Sequence, residues 1–408
     1  MKKTMQQKYA RLLVKAGVNL QKGQTLVVRA DVEIYPFVEL LVAEAYKAGA
    51  GNVRIDWNDQ ALTRLQYRYR SVTALSKVSE WEKAKLACDA DTLPAMISLV
   101  SADPDGLKGI NAEKMGKVAR NRFPVIKPYR EQMENRYQWL VAAVPGKAWA
   151  KKMFPGERTN AAVEKLWNAI FETCLVTADN DPVEEWRKKD EQMAEKCRKL
   201  NAYRFDYLEY KNGLGTNFRC SLMPESLWCA GGETTLGNVF FNPNMPTEEV
   251  FTTPKKGECE GRLVASKPLS YRGSLIDGFY IDYKDGKAVA WDAKVGKQAL
   301  DSILNADDGA KMLGELALVP VDSPISNQNL LYYNTLFDEN ASCHAAIGNG
   351  YTSCVEGFEN RTKQEMLDMG VNESQVHVDF MIGTADLTVT GYKDGKAVKL
   401  FEHGNWVL

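Results

Sequence analysis

Short apolar runs alternate with stretches of helical periodicity through the first half of the chain. Thr25-Leu26-Val27-Val28-Arg29 reads as a strand, and Glu33 to Ala48 carries apolar residues at helical spacing until Gly49 and Gly51 end it. Asn52–Trp57, Ala95–Val100 and Trp139–Val144 continue the strand series, and helices between strands predict a mainly parallel sheet covered on both faces. Two charge-rich helical stretches come next, Asn160–Val176 and Pro182–Leu200. The second, with a narrow stripe of Trp186, Met193 and Cys197, reads as an exposed connecting helix with the domain boundary near its end. From Phe205 the pattern changes to short alternating strands separated by glycine and proline turns. Tyr-Lys-Asp-Gly-Lys-Ala-Val occurs twice, at Tyr283–Val289 and Tyr392–Val398, and each Asp-Gly between strand-like flanks predicts a hairpin. The expected architecture is an α/β domain over residues 1–202 and an α+β domain rich in antiparallel strands over residues 203–408.

Composition narrows the function. The chain has 408 residues, 45% hydrophobic and 26% charged, enough for ordinary globular cores. A formal net charge of -1 offers nothing to a polyanion, so nucleic acid is excluded as a partner. No apolar run approaches the ~18 residues of a membrane span. Met1-Lys2-Lys3-Thr4 is basic, but Gln6, Gln7, Lys8, Arg11 and Lys15 interrupt the stretch from Met5 to Gly17, which predicts an amphipathic first helix and not a secretion signal. The eight cysteines contain no C-x-x-C pair and are scattered, the usage of free thiols in the cytoplasm. No Gly-x-Gly-x-x-Gly succeeds the first strand and no Walker-type loop occurs, so the dinucleotide and nucleotide readings fail at the site level.

The chemistry lies in the placement of the histidines. There are three, His344, His377 and His403, all near the C-terminus. In a strand running from His377 to Ile382, His377, Asp379 and Met381 share one face while Val378, Phe380 and Ile382 form a core face. Imidazole beside carboxylate is a ligand set for a borderline divalent metal. A hydrogen-bonded pair is the bland alternative, as a satisfied core histidine is for His344. Gly314-Glu315-Leu316-Ala317-Leu318-Val319 is a further apolar strand that opens on an acid, costly to bury unless paired or coordinated. His403, in Phe401-Glu402-His403-Gly404-Asn405-Trp406, has no such company and reads as structural.

Four segments together carry a resemblance. Asn244-Met245-Pro246-Thr247-Glu248-Glu249-Val250-Phe251-Thr252, Gly314–Val319, Phe337–Tyr351 and His377–Gly383 resemble, in order and spacing, the thermophilic metalloaminopeptidase family that includes aminopeptidase T, aminopeptidase S and PepS. The resemblance spans the chain and is specific from about Tyr207 onward. It implies a cytoplasmic, homodimeric enzyme that removes the N-terminal residue from peptides with a free N-terminus. It also implies two divalent metal ions, with zinc, cobalt, manganese and magnesium all open. The ligands it implies are Glu249, Glu315, His344, His377 and Asp379, with Glu339 as a further one and Tyr351 at the metals. Glu248 is expected to be a solvated neighbour. Four acids brought together raise one another's pKa, and two divalent ions would neutralise them. Glu315 is expected to bridge ions ~3.5–4 Å apart that share a hydroxide nucleophile, and Tyr351 to ligate a metal or donate to the developing oxyanion. The alternatives are another metal-dependent amide or phosphoester hydrolase, or a non-enzymatic binding protein stabilised by metal.

Overall fold

A computed structural model of the chain describes residues 2–271 and 273–408. The chain divides into two compact units, Met1–Lys188 with Gly232–Pro246, and Lys189–Gly231 with Thr247–Leu408. The single boundary expected at 202 differs from this division in two ways. The break falls within the helix Pro182–Tyr203. The segment Gly232–Pro246 also returns to the first unit, because Asn244–Met245 adds a parallel strand beside Trp139–Ala143.

The first unit is built on a five-stranded parallel sheet in the order Asn244–Met245, Trp139–Ala143, Ala95–Val100, Thr25–Asp31, Asn52–Asn58. Leu26, Val27 and Val28 are all buried, as a strand covered on both faces requires. The helix Tyr35–Ala48 starts with Pro36 in its first turn and stops at Gly49, which takes a left-handed φ of 99° that a side chain would strain. The first helix, Lys2–Leu12, buries Tyr9 and Leu12. The stripe on Pro182–Tyr203 is not exposed: Trp186 is fully buried with its indole N–H donating to the Cys174 carbonyl, and Met193, Cys197 and Leu200 are buried too. Its many charges lie on the other faces and hide this in the sequence.

The second unit contains two antiparallel sheets that share a core. The larger runs through Tyr207–Lys211, Asn217–Ser221, Cys259–Val264 and Ser274–Lys284 on one side and Thr388–Lys393 and Lys396–Glu402 on the other. Both predicted hairpins form, with positive φ at both turn residues: 50° and 73° at Asp285 and Gly286, 49° and 74° at Asp394 and Gly395. The smaller sheet has the order His377–Met381, His344–Gly348, Leu313–Leu318, Val250–Thr252, Cys229–Ala230. Val250, Leu316, Leu318, Ala345, Val378 and Phe380 turn one face of it into the core shared with Leu208, Phe218 and Ile281 of the larger sheet. The cysteines are not all free. Cys220 and Cys259 stand directly opposite each other on adjacent strands and are joined as a disulfide, a pairing that 39 residues of separation conceal in the sequence.

Candidate metal centre

Strand alternation sends the polar residues of the smaller sheet to the face opposite the core. Glu315, Ala346 and Asp379 lie in one row across three strands, so only the Ala346 methyl stands between the two acids. Phe251, Ala317, His344 and Met381 form the adjacent row. A register shift between Leu313 and Glu315 leaves Gly314 as an extra residue, and it aims Glu315 onto this face while Leu313 turns to the core. Glycine is required there, because a Cβ would lie 2.0 Å from the Asn349 carbonyl oxygen.

The side chains converge as two triplets that share one member. Glu249, Glu315 and His344 form one, and Glu315, His377 and Asp379 the other, with the potential ligand atoms of each within 4.8 Å of one another. Glu315 Oε2 lies 3.1 Å from His377 Nε2, while its Oε1 lies 4.0 Å from His344 Nε2. His344 Nε2 is 3.3 Å from Glu249 Oε2, and His377 Nε2 is 3.2 Å from Asp379 Oδ1. The first triplet is sealed, with the His344 side chain 1% exposed, whereas His377 is 23% exposed.

Both imidazoles are turned the same way. His377 Nδ1 lies 2.7 Å from the Asn349 carbonyl oxygen, and His344 Nδ1 lies 3.2 Å from that of Ser342. Each Nδ1 therefore donates to backbone, which points the Nε2 lone pair of a neutral ring at carboxylate oxygens. Acceptors facing acceptors need a cation between them. Without metal, protons serve. Burial alone would lower both histidines, but the carboxylates override it, holding His344 up at about 9 and His377 well above its usual value. Burial pushes Glu315 up to about 6, reinforced by Asp379 and Glu249 and opposed by His377. Two carboxylates about 4.8 Å apart repel by roughly 3–4 kcal/mol at an effective dielectric near 20, so a cation-free, proton-free cluster is strongly disfavoured. The donor set of imidazole Nε2 and carboxylate oxygen fits divalent metal.

Glu339, in the short helical turn Glu339–Ala341, belongs to neither triplet, yet burial and then Asp379, Glu249 and Glu315 hold its carboxyl well above the usual range. Tyr351 is 38% exposed as a residue, but its hydroxyl reaches inward to 3.2 Å from His377 Nε2. Withdrawal from solvent and the surrounding carboxylates raise the phenol well above its ordinary value, so it keeps its proton. Glu248 is not solvated: it forms a half-buried ion pair with Lys189 at 2.5 Å. His403 sits exposed in a tight turn of the larger sheet and belongs to neither triplet.

Several residues that shape the site carry no sequence signal. Asn349 acts through its carbonyl, which any residue possesses. Asn372, buried, donates to the Gly348 and Gly309 carbonyls at 2.6 and 2.8 Å and holds the loop that presents Asn349. Asn340 accepts from the Glu248 N–H at 2.7 Å and so fixes the approach to Glu249.

Comparison with known proteins gives the family of the chain. Residues 2–406 match the family model for thermophilic metalloprotease (M29). The chain is 41% identical to aminopeptidase 2 of Geobacillus stearothermophilus over 98% of its length and 97% of that protein. It is 39% identical to aminopeptidase AmpS of Bacillus subtilis over 98% of both. The solved structure of wild-type AmpT from Thermus thermophilus superposes with a TM-score of 0.91 at 36% identity, covering all of both chains. A 2,5-dihydroxypyridine dioxygenase from Pseudomonas putida gives a TM-score of 0.53 at 11% identity, a likeness of fold alone. This chain belongs to the thermophilic metalloprotease family and is a peptidase.

Proposed function

We propose that this chain is an aminopeptidase with a dinuclear divalent-metal centre, held by Glu249, Glu315 and His344 on one side and Glu315, His377 and Asp379 on the other. The observation that carries the reading is the sharing of Glu315, one oxygen turned toward each histidine. Held by these residues, zinc, cobalt, manganese or magnesium ions would supply Lewis acidity and a water whose pKa is lowered toward neutrality. The remaining work belongs to the protein. Asn349 and Ser342 hold the imidazoles in the tautomer that presents Nε2. The half-open His377 and Tyr351 side admits substrate, and the sealed His344 side does not.

Tyr351, kept protonated, donates its hydroxyl hydrogen to the oxyanion that develops on the scissile carbonyl. Glu339 serves as a further ligand or accepts a hydrogen bond from the α-amine of the substrate. An acid-rich site of this kind favours a peptide that ends in a free amine over an internal segment. Among the described residues, the strongest cationic influence on Glu315 is His377 and on Asp379 His377 with His344, whereas a phosphoester site would set lysine or arginine there. A purely structural metal site fits less well, since such sites are closed and thiolate-rich. The homodimer and cytoplasmic location remain part of this proposal; among the described residues no helix is long and apolar enough to cross a membrane.

Metal titration with parallel assay of leucine-p-nitroanilide and p-nitrophenyl phosphate separates these readings. Metal-dependent cleavage of the anilide alone is expected. Cleavage of the phosphate ester in preference would reassign the enzyme, and no cleavage of either would favour the binding protein.

A further inference from the structure

We infer that Thr253 is a positioning residue for Tyr351, a latch of two hydrogen bonds that sets where the phenol hydroxyl stands. The inference rests on the reading of Tyr351 as the donor to the substrate oxyanion. Thr253 comes directly after the strand Val250–Thr252 and is fully buried. Its Oγ1 accepts from the Tyr351 N–H at 2.8 Å and donates to the Tyr351 carbonyl at 3.2 Å. One hydroxyl thus engages both backbone groups of a residue 98 positions away. The Tyr351 carbonyl also accepts from the Cys354 N–H at 3.2 Å, but its N–H is served by Thr253.

The same strand fixes the ring. Phe251 meets it edge-on with ring centroids 5.4 Å apart, and the His377 ring lies 4.9 Å from it. Backbone and ring are therefore both referenced to Val250–Thr252, the strand that begins just after Glu249. Tyr351 as a residue is 38% exposed, so its position depends on these few contacts more than that of a core tyrosine would. Since a displacement of about 1 Å in a reacting group can cost about 100-fold in rate, the latch bears on catalysis and not only on loop stability.

The Thr253 methyl packs toward Gly350, where an added Cβ would come within 2.9 Å of it. That allows packing to be separated from hydrogen bonding. Thr253→Val keeps the shape and loses the hydroxyl, whereas Thr253→Ser keeps the hydroxyl and loses the methyl. Both are to be compared with Tyr351→Phe and the double variant Thr253→Val/Tyr351→Phe, measuring kcat, KM and bound metal on the full chain. Expected for Thr253→Val is a kcat lower by about 10- to 100-fold, with KM and metal content within about twofold of the parent. Thr253→Ser should recover kcat to within about threefold, and the double variant should be no worse than Tyr351→Phe.

If Thr253→Val does not accumulate as folded protein, Thr253→Ala against Thr253→Ser decides the question, since both lack the methyl and only serine keeps the hydroxyl. Unchanged kcat in Thr253→Val beside an impaired Tyr351→Phe overturns the latch, as does a serine variant no better than valine or alanine. Unchanged kcat in Tyr351→Phe instead overturns the reading of Tyr351 itself.

Discussion

His377 donates its Nδ1 proton to the backbone carbonyl of Asn349 across 2.7 Å, and this bond decides what the other face of the ring can do. With Nδ1 committed, Nε2 is presented to Glu315, Asp379 and the Tyr351 hydroxyl at 3.1, 3.2 and 3.2 Å. The ring can then hold either a proton or a metal ion among those oxygens, and the behaviour of the site depends on that competition.

Glu315 serves both triplets, so its loss should be felt twice. Glu315→Gln is expected to lower bound metal on both sides and to reduce kcat by several orders of magnitude. His403→Ala, in an exposed turn, should leave kinetics and metal content unchanged. Elemental analysis with steady-state assays checks this; equal damage from the two substitutions would mean the wrong groups have been placed at the site.

Gly314 ties the geometry of Glu315 to that of His377. A Cβ there would press on the Asn349 and Gly348 carbonyl oxygens at 2.0 and 2.6 Å. Gly314→Ala should therefore open the bulge, cost about 1–3 kcal/mol of stability and weaken metal binding together with it. Thermal melts and metal affinity are the measurements. A variant with parental metal affinity would show that the Asn349 carbonyl is not fixed through this contact.

The pH dependence of the metal-free protein has a definite sign. His344 rises from its ordinary 6.5 to about 9 in the fold, so protonation stabilises the native state fully below the unfolded value. That contribution is lost as pH climbs from about 6.5 through about 9. Melting temperature of the metal-free protein should fall across this window, while that of the metal-loaded protein should change much less. Metal binding at neutral pH should also release protons, detectable by calorimetry in buffers of different ionisation enthalpy. Identical pH profiles with and without metal would contradict the competition between proton and metal at the imidazoles.

Much of the fold was legible because it rests on periodicity. The strands Thr25–Asp31 and Ala95–Val100 and the two Asp-Gly hairpins lie where apolar alternation and turn chemistry place them. The faces of His377–Met381 were legible too, since alternation alone sends Val378 and Phe380 to the core. What escaped depends on contacts between distant residues. The return of Asn244–Met245 to the parallel sheet, the Cys220–Cys259 pairing and the Glu248–Lys189 ion pair all join segments that no local pattern connects. The candidate site divides similarly. Its acids and histidines stand out as costly residues on apolar strands, whereas Asn349, Asn372 and Thr253 act through backbone contacts that leave no compositional trace.

On the proposed reading, the acid-rich cluster receives the free amine of the substrate and so sets the direction of cleavage. An N-acetylated peptide should be cut on the order of 100-fold more slowly than its free counterpart, the loss expected when a contact worth about 3 kcal/mol disappears. Amides, peptides and anilides with the same first residue should all be cleaved. Equal rates on blocked and free peptides would exclude an aminopeptidase.

The most direct measurement counts divalent metal per chain by elemental analysis while metal is stepwise removed and returned, with leucine-p-nitroanilide hydrolysis and melting temperature recorded in the same samples. Expected is full activity at two ions per chain, loss of activity and a lower melting temperature on chelation, and recovery of both on adding zinc, cobalt or manganese. Full activity in protein shown to be metal-free would contradict the dinuclear centre.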